Sequence, residues 1–367
     1  MIKVITIIGT RPEGIKTAIL HKKLVDDTAF HAILCSTGQH KDLLLDAIKG
    51  FDIEIDIQLD SMNANSSIAS QIAYMMENLQ NVINQHQPQL IIVQGDTLSA
   101  YCGAMIAFYN KIQLAHVEAG LRTHNKLSPF PEEVHRKYID DVADYHFAHS
   151  EAARQILLSE GHTTQTVEMV GNTGIDALLY VNESLSFNKL EPSKYLIEKL
   201  ENIDATKKLA LLTIHRRETM GQQQDAIMQS LIDCVAQLNM HLVCPKHPNP
   251  RLKELYKKYE LQSDISFIDA LDYTSMVWLM NRVDLIYSDS GGIQEEAPYL
   301  GKNVIVLRQY SERNELISTG SNSLYNKQSL IEKSKLLLNR NDEVRLPYGE
   351  GCASGKIIEI LKSSILG

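Results

Sequence analysis

Short apolar runs recur along the chain, each followed by a stretch in which apolar residues return at helical spacing. Residues 3–8, 31–36, 90–94, 113–117, 145–148 and 166–170 read as strands. Helical stretches such as 67–86, 99–109 and 150–159 lie between them. Strands separated by helix-length segments predict β-α-β units and a parallel sheet. Residues 184–208 are polar and read as surface helix and connection. The alternation then restarts at 209–214, 241–244, 265–268, 284–287 and 304–307. A break near 171–176 predicts two Rossmann-like α/β domains, 1–172 and 173–354, with no sequence repeat between them. The closing helical pattern, 355–367, is expected to pack back on the first domain.

Composition narrows the class. The chain has 367 residues, 44% hydrophobic and 22% charged, as in globular proteins with sizeable cores. A net charge of −9 argues against a general nucleic-acid or anionic-membrane partner. The five cysteines, Cys35, Cys102, Cys234, Cys244 and Cys352, are scattered and form no C-x-x-C pair. They predict reduced, structural thiols and a cytoplasmic setting. The first apolar run is interrupted by Lys3 and is too short for a signal-peptide core. No run of some 18 apolar residues is present.

Open α/β sheets bind ligands beyond the carboxyl ends of their strands, so the residues after each strand carry the chemistry. After the first strand comes GTRPEGIK, 9–16. It is neither G-x-G-x-x-G nor a Walker loop, so it predicts phosphate recognition without NAD, FAD or ATP. Thr10, Pro12 and Glu13 also fit a helix start with a capping box. That reading leaves Arg11 unexplained, because the helix dipole is already positive there. An anion held between Arg11, Lys16 and the helix mouth would account for it.

Asp96 follows the strand 90–94, and Glu118 follows 113–117. Each has a plain structural reading: a helix N-cap for Asp96, an ion pair with Arg122 for Glu118. Beyond the stiff turn SPFPEE (128–133), Glu132 opens a helix that carries Arg136. Three acids around one cleft would have their pKa values pushed apart, as acid/base work requires.

In the second half, His215, Arg216, Arg217 and Glu218 follow the strand 209–214, and Lys246 and His247 follow 241–244. A histidine beside two arginines at a strand end suits phosphate binding or proton transfer. His116, Glu118 and His247 lack the compact spacing of metal ligands. Ser290, Gly291 and Gly292 form a second strand–glycine–helix junction, a second anion cradle. Glu296, one turn on, is placed to accept both hydroxyls of a ribose. Arg313 follows the strand 304–307 and falls on the same sheet edge. Two phosphate cradles, a ribose acceptor and a set of carboxylates point to a nucleotide-sugar.

Together these residues closely resemble the bacterial non-hydrolysing UDP-N-acetylglucosamine 2-epimerase family. The matching segments are GTRPEGIK (9–16), GDT (95–97), HVEAGLRT (116–123), SPFPEE (128–133), GNTGIDAL (171–178), HRRE (215–218), VWLMN (277–281), SDSGGIQEEAP (288–298) and ERNE (312–315). Hydrolysing relatives tend to carry GTRAD-like residues at the first turn, where this chain has Pro12 and Glu13. The resemblance implies a glycosyltransferase-B-type fold with the active site in the interdomain cleft. It implies a homodimer that interconverts UDP-GlcNAc and UDP-ManNAc without NAD or metal, for cell-surface polysaccharide synthesis. UDP would leave by anti elimination to give 2-acetamidoglucal, then add back. By position, Arg11, Lys16 and Arg313 would neutralise the diphosphate, Ser290, Gly291 and Gly292 would cradle it, and Glu296 would bind ribose. Asp96, Glu118, Glu132 and His215 would form the catalytic set, with Arg136 beside them.

The chain departs from the family pattern at several points. Gly14 stands where Ala is usual, and Asn314 where Pro is usual. Leu271 and Met276 replace Gln and Phe near the expected uracil. Some members are activated by a second UDP-GlcNAc through a Gln-His-Arg segment and a later Arg. Here Gln39 and His40 are followed by Lys41 and Asp42, and Asn65 falls near the later Arg. The competing readings are a hydrolysing 2-epimerase releasing ManNAc and UDP, a UDP-sugar glycosyltransferase, and a non-catalytic UDP-sugar-binding protein.

Overall fold

A computed structural model describes residues 1–39, 41–60, 66–215, 222–308, 313–340 and 346–366. The chain divides into two units, Met1–Leu179 with Pro347–Gly367, and Tyr180–Leu346.

The first unit opens with β1 (Ile2–Ile8), α1 (Arg11–Asp26), β2 (Phe30–Ser36), α2 (Lys41–Ile48), β3 (Ile57–Gln58), α3 (Ile68–His86) and β4 (Leu90–Gln94). It continues with α4 (Leu98–Tyr109), β5 (Gln113–Ala119), α5 (Glu132–Val142), β6 (Tyr145–Ala148), α6 (Glu151–Ser159) and β7 (Val167–Met169), and the division after Leu179 falls within α7 (Thr173–Ser186). Its seven strands are parallel throughout, in the order β3-β2-β1-β4-β5-β6-β7.

Near-continuous apolar strands follow from burial on both faces. Ile5, Ile7, Ile91 and Val93 pack with α3 and α4, whereas Val4, Leu90 and Ile92 pack with Leu20 and Leu24 of α1. The period-2 alternation of side chains sends neighbours along each strand to opposite cores. Order reverses between β1 and β4, which makes their carboxyl ends the switch point where such sheets bind ligands.

The second unit contains α8 (Lys194–Glu201), β8 (Lys208–Thr213), α9 (Gln222–Gln237), β9 (Met240–Pro245), α10 (Lys253–Tyr259), β10 (Ile265–Ile268) and α11 (Tyr273–Arg282). β11 (Leu285–Ser288), α12 (Gly291–Glu296), β12 (Val304–Val306), α13 (Asn314–Ser318), β13 (Asn322–Leu324) and α14 (Leu330–Leu338) complete it. Six parallel strands run β10-β9-β8-β11-β12-β13, so the same switch recurs between β8 and β11. Two Rossmann-type sheets in tandem are the composition of the glycosyltransferase-B fold.

The last helix, α15 (Ala353–Leu366), gives Ile357, Ile358 and Leu361 to the α1 side of the first core. Asp176 accepts the backbone N–H groups of Ala353 and Ser354 at 3.0 and 2.6 Å, satisfying donors at the start of that helix. Lys362 donates to Asp27 at 2.9 Å.

The expected strands are present, with ends displaced by at most two residues. β3 and β13, of two and three residues at the sheet edges, have no apolar run to announce them. Cys35, Cys102, Cys234 and Cys244 are buried free thiols, and Cys352 is exposed.

Candidate active site

At the first switch point, Glu13 joins two helix starts. Its Oε2 accepts the N–H groups of Gly9 and Thr10 at 3.0 and 2.7 Å and the Thr10 hydroxyl at 2.7 Å. Its Oε1 accepts the Thr97 hydroxyl at 2.6 Å. Thr97 in turn caps α4 by accepting from the Ala100 N–H. The capping box is therefore present, and it is tied to the turn after β4. Burial raises the Glu13 carboxyl to about 7, although these four donors pull it the other way. Gly9 permits the close approach: a Cβ there would lie 1.9 Å from Ser99 Oγ. Arg11 stands half-buried in the first turn of α1.

Because Thr97 takes the N-cap, Asp96 is not the cap that its position suggested. Its Oδ2 accepts from Arg136 Nη2 instead. Burial drives the Asp96 carboxyl above its ordinary value. Arg136 opposes the shift, and Glu118 and Glu132 add to it. His135 Nδ1 donates to the Asp96 carbonyl at 3.1 Å and stacks on Tyr101 at 4.8 Å.

Glu118 is also not paired as its spacing suggested. Arg122 binds Asp140 at 2.7 Å and Glu160 at 2.6 Å, contacts too distant in sequence for local spacing to reveal. Glu118 Oε2 accepts from Lys16 Nζ at 2.6 Å and from Gln94 Nε2. Gln94 has one signal in the sequence, a polar residue closing an otherwise apolar run. Glu118 has φ of 70°, where the pairing of β5 with β6 shifts register between Val117 and Ala119. A bulge re-aims a side chain at a strand end, and the left-handed backbone stores strain there. Glu132 begins α5, and its Oε2 is buried with no hydrogen-bond partner among the described residues. Arg136 Nε has no hydrogen-bond partner among the described residues, and its Nη1 lies 3.3 Å from Glu133 Oε2. Glu118 and Glu132 both act on Asp96, Asp96 and Glu118 have cations beside them, and Glu132 has an open oxygen, an arrangement that can serve acid/base chemistry.

In the second unit, the buried carboxylate of Asp289 accepts the His215 backbone N–H at 2.8 Å, and its other oxygen lies 3.0 Å from His215 Nδ1. The His215 ring lies parallel to that of His247, centroids 4.8 Å apart. Arg308 Nε donates to the Asp289 carbonyl at 2.8 Å. Ser290 precedes α12 without a side-chain capping bond. A Cβ on Gly291 would lie 2.7 Å from the Arg313 guanidinium, whose Nε donates to Glu295 at 2.7 Å. A Cβ on Gly292 would meet nothing within 4 Å. Glu296 Oε1 accepts the Tyr273 hydroxyl at 3.0 Å. Tyr273 was not foreseen, since it reads as an ordinary helix residue.

Gly14 has a packing role: a Cβ there would come within 2.3 Å of Leu44 Cδ1 on α2. Leu271 is buried at 6% exposure, and Met276 is half-buried on α11. Gln39 Oε1 accepts the Ser99 hydroxyl at 2.7 Å. His40, Asn65, Arg216, Arg217, Glu218 and Glu312 lie outside the described residues, as do the side chains of Lys41, Asp42 and Asn314. Among the described residues, no group of three or more His, Cys, Asp or Glu is arranged to hold a metal ion. None of the described helices is long and apolar enough to cross a membrane.

Comparison with known proteins gives this geometry its family. The model of the UDP-N-acetylglucosamine 2-epimerase family matches residues 22–362. The UDP-N-acetylglucosamine 2-epimerase of Escherichia coli K12 is 38% identical, over 99% of either chain. The UDP-GlcNAc 2-epimerase of Neisseria meningitidis, solved bound to UDP-GlcNAc, superimposes with a TM-score of 0.91 at 34% identity. That alignment covers 98% of this chain and 100% of the other. The Methanocaldococcus jannaschii enzyme, solved with UDP-GlcNAc and UDP, gives a TM-score of 0.85 at 30% identity over 98% and 99% of the two chains. With the match running through both sheets and the turns that carry the acids and the glycine pair, the chain belongs to the UDP-N-acetylglucosamine 2-epimerase family.

Proposed function

We propose that the protein interconverts UDP-GlcNAc and UDP-ManNAc by elimination and re-addition of UDP, without hydrolysis. The observation that carries this reading is the acid set of the first unit. Asp96 has its acidity weakened by burial and by Glu118 and Glu132, yet it is held by Arg136. Lys16 contacts Glu118 at 2.6 Å, and Glu132 has an open oxygen. Binding a nucleotide-sugar without chemistry would not call for a buried Asp96 set beside two further carboxylates.

In this reading UDP leaves carbon 1 as a carboxylate takes the proton from carbon 2, giving 2-acetamidoglucal. The proton returns to the opposite face of carbon 2, and UDP adds back to carbon 1. Because the carbon 2 proton is poorly acidic, stabilising charge on departing UDP carries much of the barrier. Arg11, Lys16 and Arg313 supply cations for the diphosphate. Ser290, Gly291 and Gly292 supply backbone N–H groups, and Glu296 accepts from ribose. His215, oriented by Asp289 and the stacked His247, serves proton transfer or the diphosphate. UDP-ManNAc made in this way would feed surface polysaccharide synthesis.

Proton NMR of UDP-GlcNAc with the protein in deuterated water tests the reading. UDP-ManNAc with deuterium at carbon 2 is the expected product. Free ManNAc would replace the proposal with hydrolysis. No reaction without an acceptor would replace it with glycosyl transfer or binding.

A further inference from the structure

Asp140 takes no part in the chemistry above, yet it reaches both strand ends that carry it. Glu132, Arg136 and Asp140 recur every four residues on α5 and so share one helix face. Arg136 donates to Asp96. One turn further, the fully buried Asp140 accepts from His116 Nδ1 at 2.6 Å on one oxygen and from Arg122 Nη2 at 2.7 Å on the other. The second oxygen also receives the Gly120 N–H at 3.3 Å. His116 extends the chain: its Nε2 donates to the carbonyl oxygen of Gly95 at 2.8 Å. A single carboxylate thus reaches the residue before Asp96 through one imidazole, and the residue two beyond Glu118 directly.

The segment at the end of β5 needs holding. Glu118 has φ of 70° and Gly120 φ of 85°. A Cβ on Gly120 would lie 2.4 Å from the Ala153 carbonyl oxygen, so the bulge is pressed against α6. A strained loop persists only where its surroundings over-determine it. Burial alone would raise the Asp140 carboxyl, but the facing His116 and Arg122 outweigh it and hold it at about 2.

We infer that Asp140 is a positioning residue that acts through His116 and the Gly120 N–H to aim Asp96 and Glu118. This rests on the proposed epimerase reading for its kinetic consequence, and on the hydrogen bonds alone for its structural one.

Asp140→Asn and His116→Gln test it in the full chain. The second leaves the Asp140–Arg122 pair intact and so decides the matter if the first does not fold. In the deuterium assay, with unfolding midpoints above the assay temperature, kcat should fall at least about tenfold with KM within about threefold. The pH profile of kcat should move. Hydrogen exchange read by mass spectrometry should quicken at Gly95 and Gly120 and stay unchanged in the second unit. A folded His116→Gln with wild-type kcat, pH profile and exchange would overturn the inference. So would an activity loss that tracks the unfolded fraction with the profile unmoved. A wild-type protein inactive on UDP-GlcNAc would overturn the proposed function instead, and the exchange result would then decide the positioning role.

Discussion

Lys16 Nζ lies 2.6 Å from Glu118 Oε2, joining the helix after the first strand to the bulge that ends the fifth. A cation held this way can be shared with a leaving diphosphate as charge grows there. Lys16→Met should weaken UDP binding about 10- to 100-fold, the range for a hydrogen bond to a charged group. Isothermal titration calorimetry checks it. Unchanged affinity would make Lys16 a partner of Glu118 alone.

Asp96→Asn keeps the side-chain size and a carbonyl to face Arg136, but removes the titrating group. Turnover should fall about a thousandfold or more, with UDP affinity within about tenfold of wild type. Full activity, or a chain that no longer folds, would remove Asp96 from the chemistry.

Glu13 makes stability depend on pH with a defined sign. Its carboxyl titrates at about 7 in the folded chain, against an ordinary value of 4.5, because burial disfavours the charge. Between those values the native state binds more protons than the unfolded one. The contribution is therefore fully present below 4.5 and lost as pH rises through 7. Measured by denaturant unfolding, Glu13→Gln should gain on wild type from pH 4.5 to 7, then run parallel to it. A constant difference would mean that Glu13 is ionised throughout.

Gly291 and Gly292 separate packing from ligand approach. Gly292→Ala should leave the unfolding midpoint near wild type, because its methyl meets nothing within 4 Å. It should still weaken UDP binding if the diphosphate lies against that backbone. Gly291→Ala should displace the Arg313 guanidinium and lower both stability and affinity. Equal UDP affinity in Gly292→Ala and wild type would remove the cradle from this turn.

The strands and the turns after them were legible because burial on both faces writes apolar runs, and glycine or charge ends them. What each acid contacts was not. Thr97 displaced Asp96 from the cap by a one-residue shift in where α4 begins. Arg122 and Glu118 are neighbours in sequence, but a left-handed residue and a bulge turn them to different partners. Gly14 conformed to no local rule because its reason is Leu44, thirty residues away on another helix.

Finally, α15 supplies Ile357 and Leu361 to a core whose other members begin at Ile2. During synthesis the first sheet can assemble early with α1 on this face, but the part that α15 covers stays open until the whole second unit has emerged. The nascent chain must carry that apolar face through the making of more than 150 further residues, the interval between Leu179 and Pro347. Exposed apolar surface of this kind invites association with other chains. A deletion that removes α15 should therefore leave that surface open in the released chain and show itself as aggregation of the finished protein.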